Sequence, residues 1–194
     1  SSKSTNLKGD AAFMDLNQGK SINFNLNFLE YALPFAHNHL GIVTGMGLEV
    51  NNFRLSNNIS LMKSDLGITV ADSSYMNNGV NLTKSKLTMT YLTIPLLMEF
   101  QVPSGHKRFY ISGGVIGGVK LGSHTKVVYQ SGGQKQKDKN RDDYNLATLR
   151  YGFHARIGYR FINLYATYYP VALFEKDKGP EVYPYNIGIV LLGF

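Results

Sequence analysis

The 194-residue chain contains no cysteine and no tryptophan, and only 17% of its residues are charged. The absence of cysteine excludes disulfide frameworks, thiolate metal clusters and cysteine nucleophiles. No stretch approaches the roughly 18 consecutive apolar residues that a membrane-spanning helix needs. The sequence therefore excludes a helical membrane protein.

Glycine and aromatic residues are abundant instead, with 20 Gly, 13 Tyr and 11 Phe. The 20 Lys and Arg residues exceed the 13 Asp and Glu residues, which gives a formal net charge of +7. A chain of this length is sufficient for one domain with a core, or for a closed barrel. Few charges combined with many Gly and Tyr residues are unusual for a soluble enzyme and leave open a membrane protein built from strands.

Apolar residues alternate with polar residues or glycine over residues 22–28, 40–51 and 149–160. Such alternation gives a strand one apolar and one polar face. In the last stretch an aromatic and aliphatic face opposes a face with His154 and three Arg residues. Its length suits a transmembrane β-strand, and its tyrosines lie near the ends, as in an interfacial aromatic girdle.

The connections between predicted strands alternate between short and long. We predict strands over residues 20–34, 40–56, 84–101, 107–129, 144–160, 164–174 and 184–194. Short links at 35–39, 103–106 and 161–163 alternate with long or polar ones at 57–83, 130–143 and 175–183. Barrels of the outer membrane have short periplasmic turns and longer extracellular loops. The sequence thus predicts an all-β, up-and-down antiparallel transmembrane β-barrel in the bacterial outer membrane.

Seven predicted strands are one fewer than the smallest even number found in bacterial barrels of this type, which is eight. Asp10 and Asp15 would fall on opposite faces of any strand drawn through residues 1–19. We therefore expect residues 1–19 to form an extracellular loop or N-terminal extension, and residues 20–194 to form the barrel domain. We expect about eight strands, the first of which follows a signal peptide that has been removed and is absent from this chain or only partly covered by it.

Two segments carry a resemblance to a known family. The run Tyr91-Leu92-Thr93-Ile94-Pro95, followed by the glycine-rich residues 109–118, resembles a strand pair of small outer-membrane β-barrel proteins of Gram-negative bacteria. Residues 187–194 resemble the terminal strand whose last aromatic residue, here Phe194, is recognised by the barrel-insertion machinery. The resemblance implies an eight-stranded, porin-like barrel. Some relatives assist secretion or surface motility, which implies a surface or secretion-accessory protein as a partner.

Two residues conflict with regular strand alternation. Pro95 cannot donate a hydrogen bond in mid-strand, so we expect a β-bulge there, with Glu99 facing the lumen. Glu30 shares the parity of Phe28 on the lipid-facing side. We expect Glu30 to lie near the headgroups or to follow a register-changing bulge.

Charged side chains on the lumen side form the main candidate site. They are Glu49, Glu99, Lys120, Arg150, His154, Arg156 and Arg160. These groups could bind or conduct a solute, or they could plug the barrel through ion pairs and hydrogen bonds. Eight strands enclose an interior about wide enough for side chains to fill. This size favours a plug, with ion pairs such as Arg156 with Glu99 offsetting the desolvation of the charges.

A second candidate site lies in the polar stretch 132–143. Its basic residues are Lys135, Lys137, Lys139 and Arg141, and three Asp residues almost balance them. This balance and the lack of interleaved aromatic residues argue against nucleic-acid binding. We expect a solvated, mobile extracellular loop whose basic residues are candidates for contact with lipopolysaccharide phosphates or acidic glycans.

The sequence offers no convincing cofactor, metal or catalytic site. Gly113-Gly114 and Gly117-Gly118 are not followed by the Gly-Lys-Ser/Thr of a phosphate-binding loop. His37 and His39 lie in a short turn without nearby carboxylates. No Ser or Asp pairs by spacing with a His, although enzymes on outer-membrane barrels exist. We therefore expect no cofactor and no catalysis.

The sequence thus predicts a small, monomeric outer-membrane barrel in contact with lipid and lipopolysaccharide, with a structural, adhesive or accessory role through its extracellular loops. The alternative is a soluble or lipid-associated, lipocalin-like ligand-binding barrel, in which the apolar faces point inward. A narrow porin and a barrel enzyme are less favoured. Aromatic placement, loop rhythm and Phe194 favour the membrane barrel.

Overall fold

The computed structural model describes residues 9–35, 39–56, 58–104, 107–159 and 162–190, and these residues form mainly antiparallel strands. The strands are β1 Ile22–Phe35, β2 Leu40–Arg54, β3 Ser60–Lys63, β4 Thr69–Asp72, β5 Leu82–Ser104, β6 Lys107–Ser131, β7 Gln134–Asn140, β8 Leu149–Tyr159, β9 Ile162–Tyr168 and β10 Tyr185–Val190. Two short 3-10 helices cover Gly9–Met14 and Gln18–Lys20, and the helix α1 covers Ser74–Asn77.

Seven strands pair in the order β1-β2-β5-β6-β8-β9-β10, each antiparallel to the next, which confirms the up-and-down sheet. β7 adds to the far half of β6, and β3 pairs with β4 in a separate hairpin. Among the described residues no backbone pairing joins β1 to β10, so the sheet is not closed there. The expected additional N-terminal strand stays a prediction. In the same part of the chain, no helix has the length and apolar character to cross a membrane.

The strands present apolar side chains outward and polar side chains inward. On β8, Tyr151 and Phe153 are exposed, whereas Arg150 and His154 are buried. The exposed outward side chains form a continuous surface, here called the apolar belt: Phe24, Leu26, Tyr31, Leu33, Ile94, Leu96, Met98, Ile111, Val115, Val119, Tyr151, Phe153, Ile157, Leu164, Tyr168, Ile187 and Ile189. The lipocalin-like alternative is therefore wrong, because its apolar faces would line the interior.

A bulge accounts for one of the two residues that conflict with alternation, and the other lies in a regular strand. The β1–β2 register shifts at Phe28, which turns Glu30 inward and confirms the register-changing bulge. The bulge expected at Pro95 is wrong, because the β5–β6 register runs unbroken through Pro95. The Thr44 hydroxyl on β2 donates to the Pro95 carbonyl oxygen over 2.8 Å and holds the strand where backbone pairing lapses. Glu99 faces inward as expected.

Three predicted boundaries are wrong for local reasons. β8 starts at Leu149 instead of residue 144, since Tyr144 and Asn145 adopt left-handed φ values of 50° and 47°. β9 ends at Tyr168 instead of residue 174, and Pro170, which cannot donate to a ladder, follows closely.

The predicted mobile loop at 130–143 is largely a hairpin. Gly132 and Gly133 both have positive φ, as a tight two-residue turn requires, and β7 pairs back onto β6.

The segments at the long-loop end pack into a compact unit, here called the cap (residues 9–20, 58–81, 140–148 and 169–184). Its buried apolar side chains merge with those of the adjoining strand ends: Met14, Leu55, Leu61, Leu87, Met89, Tyr91, Tyr144, Leu146, Leu173 and Phe174. Thr69 N–H donates to the Lys178 carbonyl over 2.9 Å, and the Thr69 hydroxyl donates to the Tyr144 carbonyl over 2.7 Å. The barrel wall therefore ends in a folded layer with its own core.

Substitution of Phe153 by Arg tests the outward direction of the apolar belt. Placing a cation at a lipid-facing position near mid-bilayer should cost about 2–4 kcal/mol of unfolding free energy. Urea titration of the barrel in phospholipid vesicles measures this loss. The matched control is Gln134→Arg, an exposed position on β7 that lies beyond the belt and pairs with the neutral Ser131, for which we expect no loss. An equal effect of both variants would contradict the assignment.

Candidate functional site

The Glu49 carboxylate is the centre of a polar network inside the barrel. Its side chain is 3% exposed. Oε1 accepts hydrogen bonds from the amide groups of Asn23 (3.1 Å), Asn51 (2.9 Å) and Asn186 (2.9 Å). Oε2 accepts a hydrogen bond of 2.5 Å from the Tyr169 hydroxyl. These donors satisfy the hydrogen-bonding capacity of the buried carboxylate.

Arg150 neutralises this carboxylate and is enclosed by aromatic rings. Its Nη2 lies 2.9 Å from Glu49 Oε2. The guanidinium carbon lies 3.5 Å from the ring centre of Tyr91 and 4.1 Å from that of Tyr169. Among the described residues, Nε and Nη2 of Arg150 have no aligned hydrogen-bond acceptor. The ionic contact and the two ring faces therefore supply most of the stabilisation of the cation.

The network connects walls that are distant in the sequence. Its members come from β1 (Asn23), β2 (Glu49, Asn51), β5 (Tyr91), β8 (Arg150), the residue after β9 (Tyr169) and β10 (Asn186). β6 contributes Gly118, where an added Cβ would lie 3.3 Å from Arg150 Cγ. Gly118 pairs directly with Arg150 across the strands and leaves room for its side chain. The side chains thus cross the lumen from wall to wall.

A second polar group lies nearer the short-turn end. His154 Nδ1 is 2.7 Å from the Thr167 hydroxyl, and Arg156 Nε donates to His154 Nε2 over 3.0 Å. Arg156 Nη1 forms an ion pair of 3.2 Å with Glu30. The expected pair of Arg156 with Glu99 is wrong, since the bulge at Phe28 brings Glu30 inward instead. Glu99 accepts a hydrogen bond from Gln101.

The other predicted lumen residues have different surroundings. Lys120 points inward beneath the cap, where it contacts the Asp143 carboxylate and the Leu146 carbonyl. Arg160 and Phe194 lie outside the described residues. The structure thus places Glu49 and Arg150 in one cluster, His154 and Arg156 in another, and Lys120 at the base of the cap.

A cavity of about 520 Å³ lies between the two clusters, beside the unpaired edges of β1 and β10. Its lining combines apolar side chains with polar ones, among them Asn25, Thr93, His154, Arg156 and Tyr165. Among the described residues no group of three or more His, Asp or Glu side chains is arranged to hold a metal ion. The lining offers hydrogen-bonding groups and one cation.

Glycines on neighbouring strands make room for interior tyrosines. Tyr165 pairs across the strands with Gly188, where an added Cβ would lie 2.5 Å from the Tyr165 ring. Tyr110 pairs in the same way with Gly158, and a Cβ there would overlap the Tyr110 ring. Large and small residues therefore interlock across the interior and reduce its free cross-section.

The predicted surface residues lie far from this interior. Lys135, Lys137 and Lys139 are exposed on one face of β7, and Arg141 follows directly after the strand. Strand pairing places Lys139 next to Lys126 of β6. The structure thus places the three lysines on the β6–β7 hairpin, with Arg141 directly after it.

The fold, the polar interior and the apolar belt agree with the comparison with known families. Residues 5–174 match the model of the outer membrane protein beta-barrel domain. The chain belongs to this family. Comparison with curated proteins and with solved structures gave no significant match. Family membership indicates location in the bacterial outer membrane. In this outer-membrane barrel the cap faces the cell exterior, because the short turns of such barrels are periplasmic.

In this outer-membrane barrel, sequence reasoning missed most members of the polar network around Glu49 and Arg150. Asn23, Asn51 and Asn186 have the inward parity, but asparagine is also common in turns and edges. Tyr91 lies in a motif used only for the family resemblance, and Tyr169 follows the last residue of β9. The position of Tyr91 on the inward face of β5, together with its polar hydroxyl, could have predicted its place in the network. The place of Tyr169 could not be predicted, because it depends on the path of the chain from β9 into the cap.

Substitution of Glu49 by Gln tests the importance of the network. Removal of one partner leaves Arg150 as an uncompensated buried cation, and we expect a loss of about 3–5 kcal/mol of unfolding free energy. Heat-modifiable gel mobility and urea titration measure the change. Glu175→Gln is the control, because it breaks the exposed ion pair with Lys178 and should have no measurable effect. A wild-type stability for Glu49→Gln would contradict the role of the network.

Proposed function

We propose that this outer-membrane barrel is a non-enzymatic surface protein with a plugged lumen, which acts in a structural, adhesive or accessory role through its cap. The cluster of Glu49, Arg150, Tyr91 and Tyr169 is the observation that carries this proposal. It occupies the level at which a solute would have to pass from the cap into the lumen.

The plug resists opening because every part of it has a partner on another wall. Withdrawal of Arg150 would expose the Glu49 carboxylate and uncover two tyrosine rings. A buried charge left without its partner is costly. The Tyr91 hydroxyl also donates to the Ala147 carbonyl over 3.0 Å, which ties the plug to the cap above it. These contacts favour a plugged lumen over a conducting one.

The cap has the features of an interaction surface. Its core is fixed by buried apolar residues, so its exposed tips are held in place. Leu66 is 84% exposed at the turn between β3 and β4, and Met76 is 53% exposed in α1. Contiguous exposed apolar patches are typical of protein contact sites, and these two side chains are candidate members of such a patch. They support a surface or secretion-accessory protein as partner.

Planar bilayer recording tests the plug on the protein purified from its native outer membrane. We expect no channel of nanosiemens size for the wild type, because the network fills the lumen. The double variant Glu49→Ala/Arg150→Ala removes both charges and should increase the frequency of conducting events. Lys63→Ala/Asp142→Ala, which removes an ion pair near the surface, is the control. Large conductance of the wild type would overturn the plug.

Photocrosslinking in intact cells tests the cap as the contact surface. A photoreactive amino acid at Leu66 should give a discrete adduct with one protein, because this side chain projects from the cap. The same probe at Phe153, which faces lipid, should give none. Absence of any adduct at Leu66 and Met76, or the same adducts at Phe153, would count against an accessory role for the cap.

A further inference from the structure

The outward wall of the barrel changes from apolar to basic beyond the apolar belt. On β2 the outward residues Leu48 and Val50 are followed by Asn52 and Arg54. On β5, Lys84 and Lys86 precede Leu92, where the belt begins. On β6, a bulge at Leu121 separates the belt from His124 and Lys126. These polar and basic side chains lie on the cap side of the belt.

Strand pairing aligns three of these cations with Lys139 of β7 in one row. Arg54 pairs with Lys86, Lys86 with Lys126, and Lys126 with Lys139. Directly paired residues in antiparallel strands point to the same face, with Cβ atoms about 4.5–5.5 Å apart. The row therefore crosses β2, β5, β6 and β7 over about 15 Å, since neighbouring strands are about 4.8 Å apart. Lys84 and Lys137 lie one step further out, with Val128 between them.

The row has no internal counter-charge. In the described part of the chain, ion pairs are made by Lys63, Lys120, Arg150, Arg156 and Lys178, and by none of the row. Lys86 donates to the neutral Asn52 side chain, and Arg54 donates to the Thr83 carbonyl. Lys86 lies outside the part of β5 that crosses the belt. Burial, and then the charges of Lys84, Lys126, Lys139 and Arg54, lower its pKa.

The one carboxylate of β7 points away from the row. Asp138 pairs with the buried Val127 and accepts a hydrogen bond of 3.0 Å from the Tyr75 hydroxyl of α1. Burial and this carboxylate raise the pKa of Tyr75 to about 12, so its hydroxyl remains a donor. This contact fixes the orientation of β7, with Lys135, Lys137 and Lys139 on the outer face. Like charges placed directly opposite each other destabilise a sheet. The row thus gains most from an external anion.

The depth of the row matches phosphorylated headgroups. Arg54 follows Val50 by four residues, which is about 13 Å along the strand, or about 10 Å along the membrane normal for a typical strand tilt. The polar layer is about 5–7 Å thick on each side of the hydrocarbon core, so the row lies at its outer edge, from which long Lys and Arg side chains reach the headgroups. A soluble polyanion would not need a site next to the apolar belt, whereas a lipid requires both surfaces together.

We infer that the row Arg54–Lys86–Lys126–Lys139 is a binding site for the phosphate groups of lipopolysaccharide, whose acyl chains lie on the adjoining apolar belt. This inference is independent of the plugged lumen. The cations bind the phosphates and lose their mutual repulsion, and the β7 hairpin extends the site beyond the membrane surface. Lys135, Lys137 and Arg141 add to the positive potential at the outer edge of the site.

Titration with fluorescently labelled rough lipopolysaccharide tests the site, with the full chain in neutral detergent and anisotropy as the readout. The variant Lys86→Gln/Lys126→Gln/Lys139→Gln should raise Kd about tenfold or more, because each cation near a charged lipid surface contributes strongly. The control Lys176→Gln/Lys178→Gln removes two charges from exposed positions outside the site and should change Kd less than twofold. Lipopolysaccharide dephosphorylated by enzyme should bind the wild type as weakly as the intact lipid binds the row variant.

Competitor ligands distinguish lipopolysaccharide from other sources of anion. A milder variant keeps the test informative if the triple variant does not fold. Inorganic phosphate and dextran sulfate should compete poorly, since they lack acyl chains. Lys137→Gln/Lys139→Gln alters only the exposed hairpin and should weaken binding about threefold even if the triple variant does not fold. Equal effects of the row and control variants, undiminished binding of the dephosphorylated lipid, or preferential binding of dextran sulfate would overturn the inference.

Discussion

The structure depends on keeping one carboxylate charged inside a narrow barrel. Moving a charge out of water is costly unless it is paired and hydrogen-bonded. Glu49 meets this requirement with donors from β1, β2 and β10, the residue after β9, and a cation from β8. These groups come together only when the strands have their native order and register. The polar network therefore fixes the order and register of the strands. The outward apolar face cannot do so, because its side chains are similar on every strand.

Two layers close the long-loop end of the barrel by different means. The polar network satisfies charges and amides within the lumen, and the cap above it buries apolar side chains around Leu146 and Phe174. Tyr91 belongs to both layers, because its ring covers Arg150 while its hydroxyl bonds to Ala147. The cap consequently behaves as part of the barrel wall and not as a set of separate loops.

The sequence predicted the strand order and facing of most of the barrel, because alternation has a period of two and lipid enforces it over whole strands. β8 shows this best, with Arg150, His154 and Arg156 inward as expected. The partners within the site were less predictable. A single bulge at Phe28 exchanged Glu99 for Glu30 as the partner of Arg156. The β7 strand was missed because its charged sequence resembles a solvated loop, and only its pairing with β6 makes it a strand.

The tyrosine–glycine pairs bear on how the sheet avoids misalignment during assembly. A slip of two residues between neighbouring strands preserves the inward and outward pattern, so hydrophobicity alone cannot reject it. Such a slip would place Tyr110 opposite Arg156 instead of Gly158, and Tyr165 opposite Asn186 instead of Gly188. Each ring would then meet a side chain where it now lies against a glycine without a Cβ. Gly158 and Gly188 thus favour the native register over registers shifted by two residues, which the alternation of apolar and polar residues does not exclude.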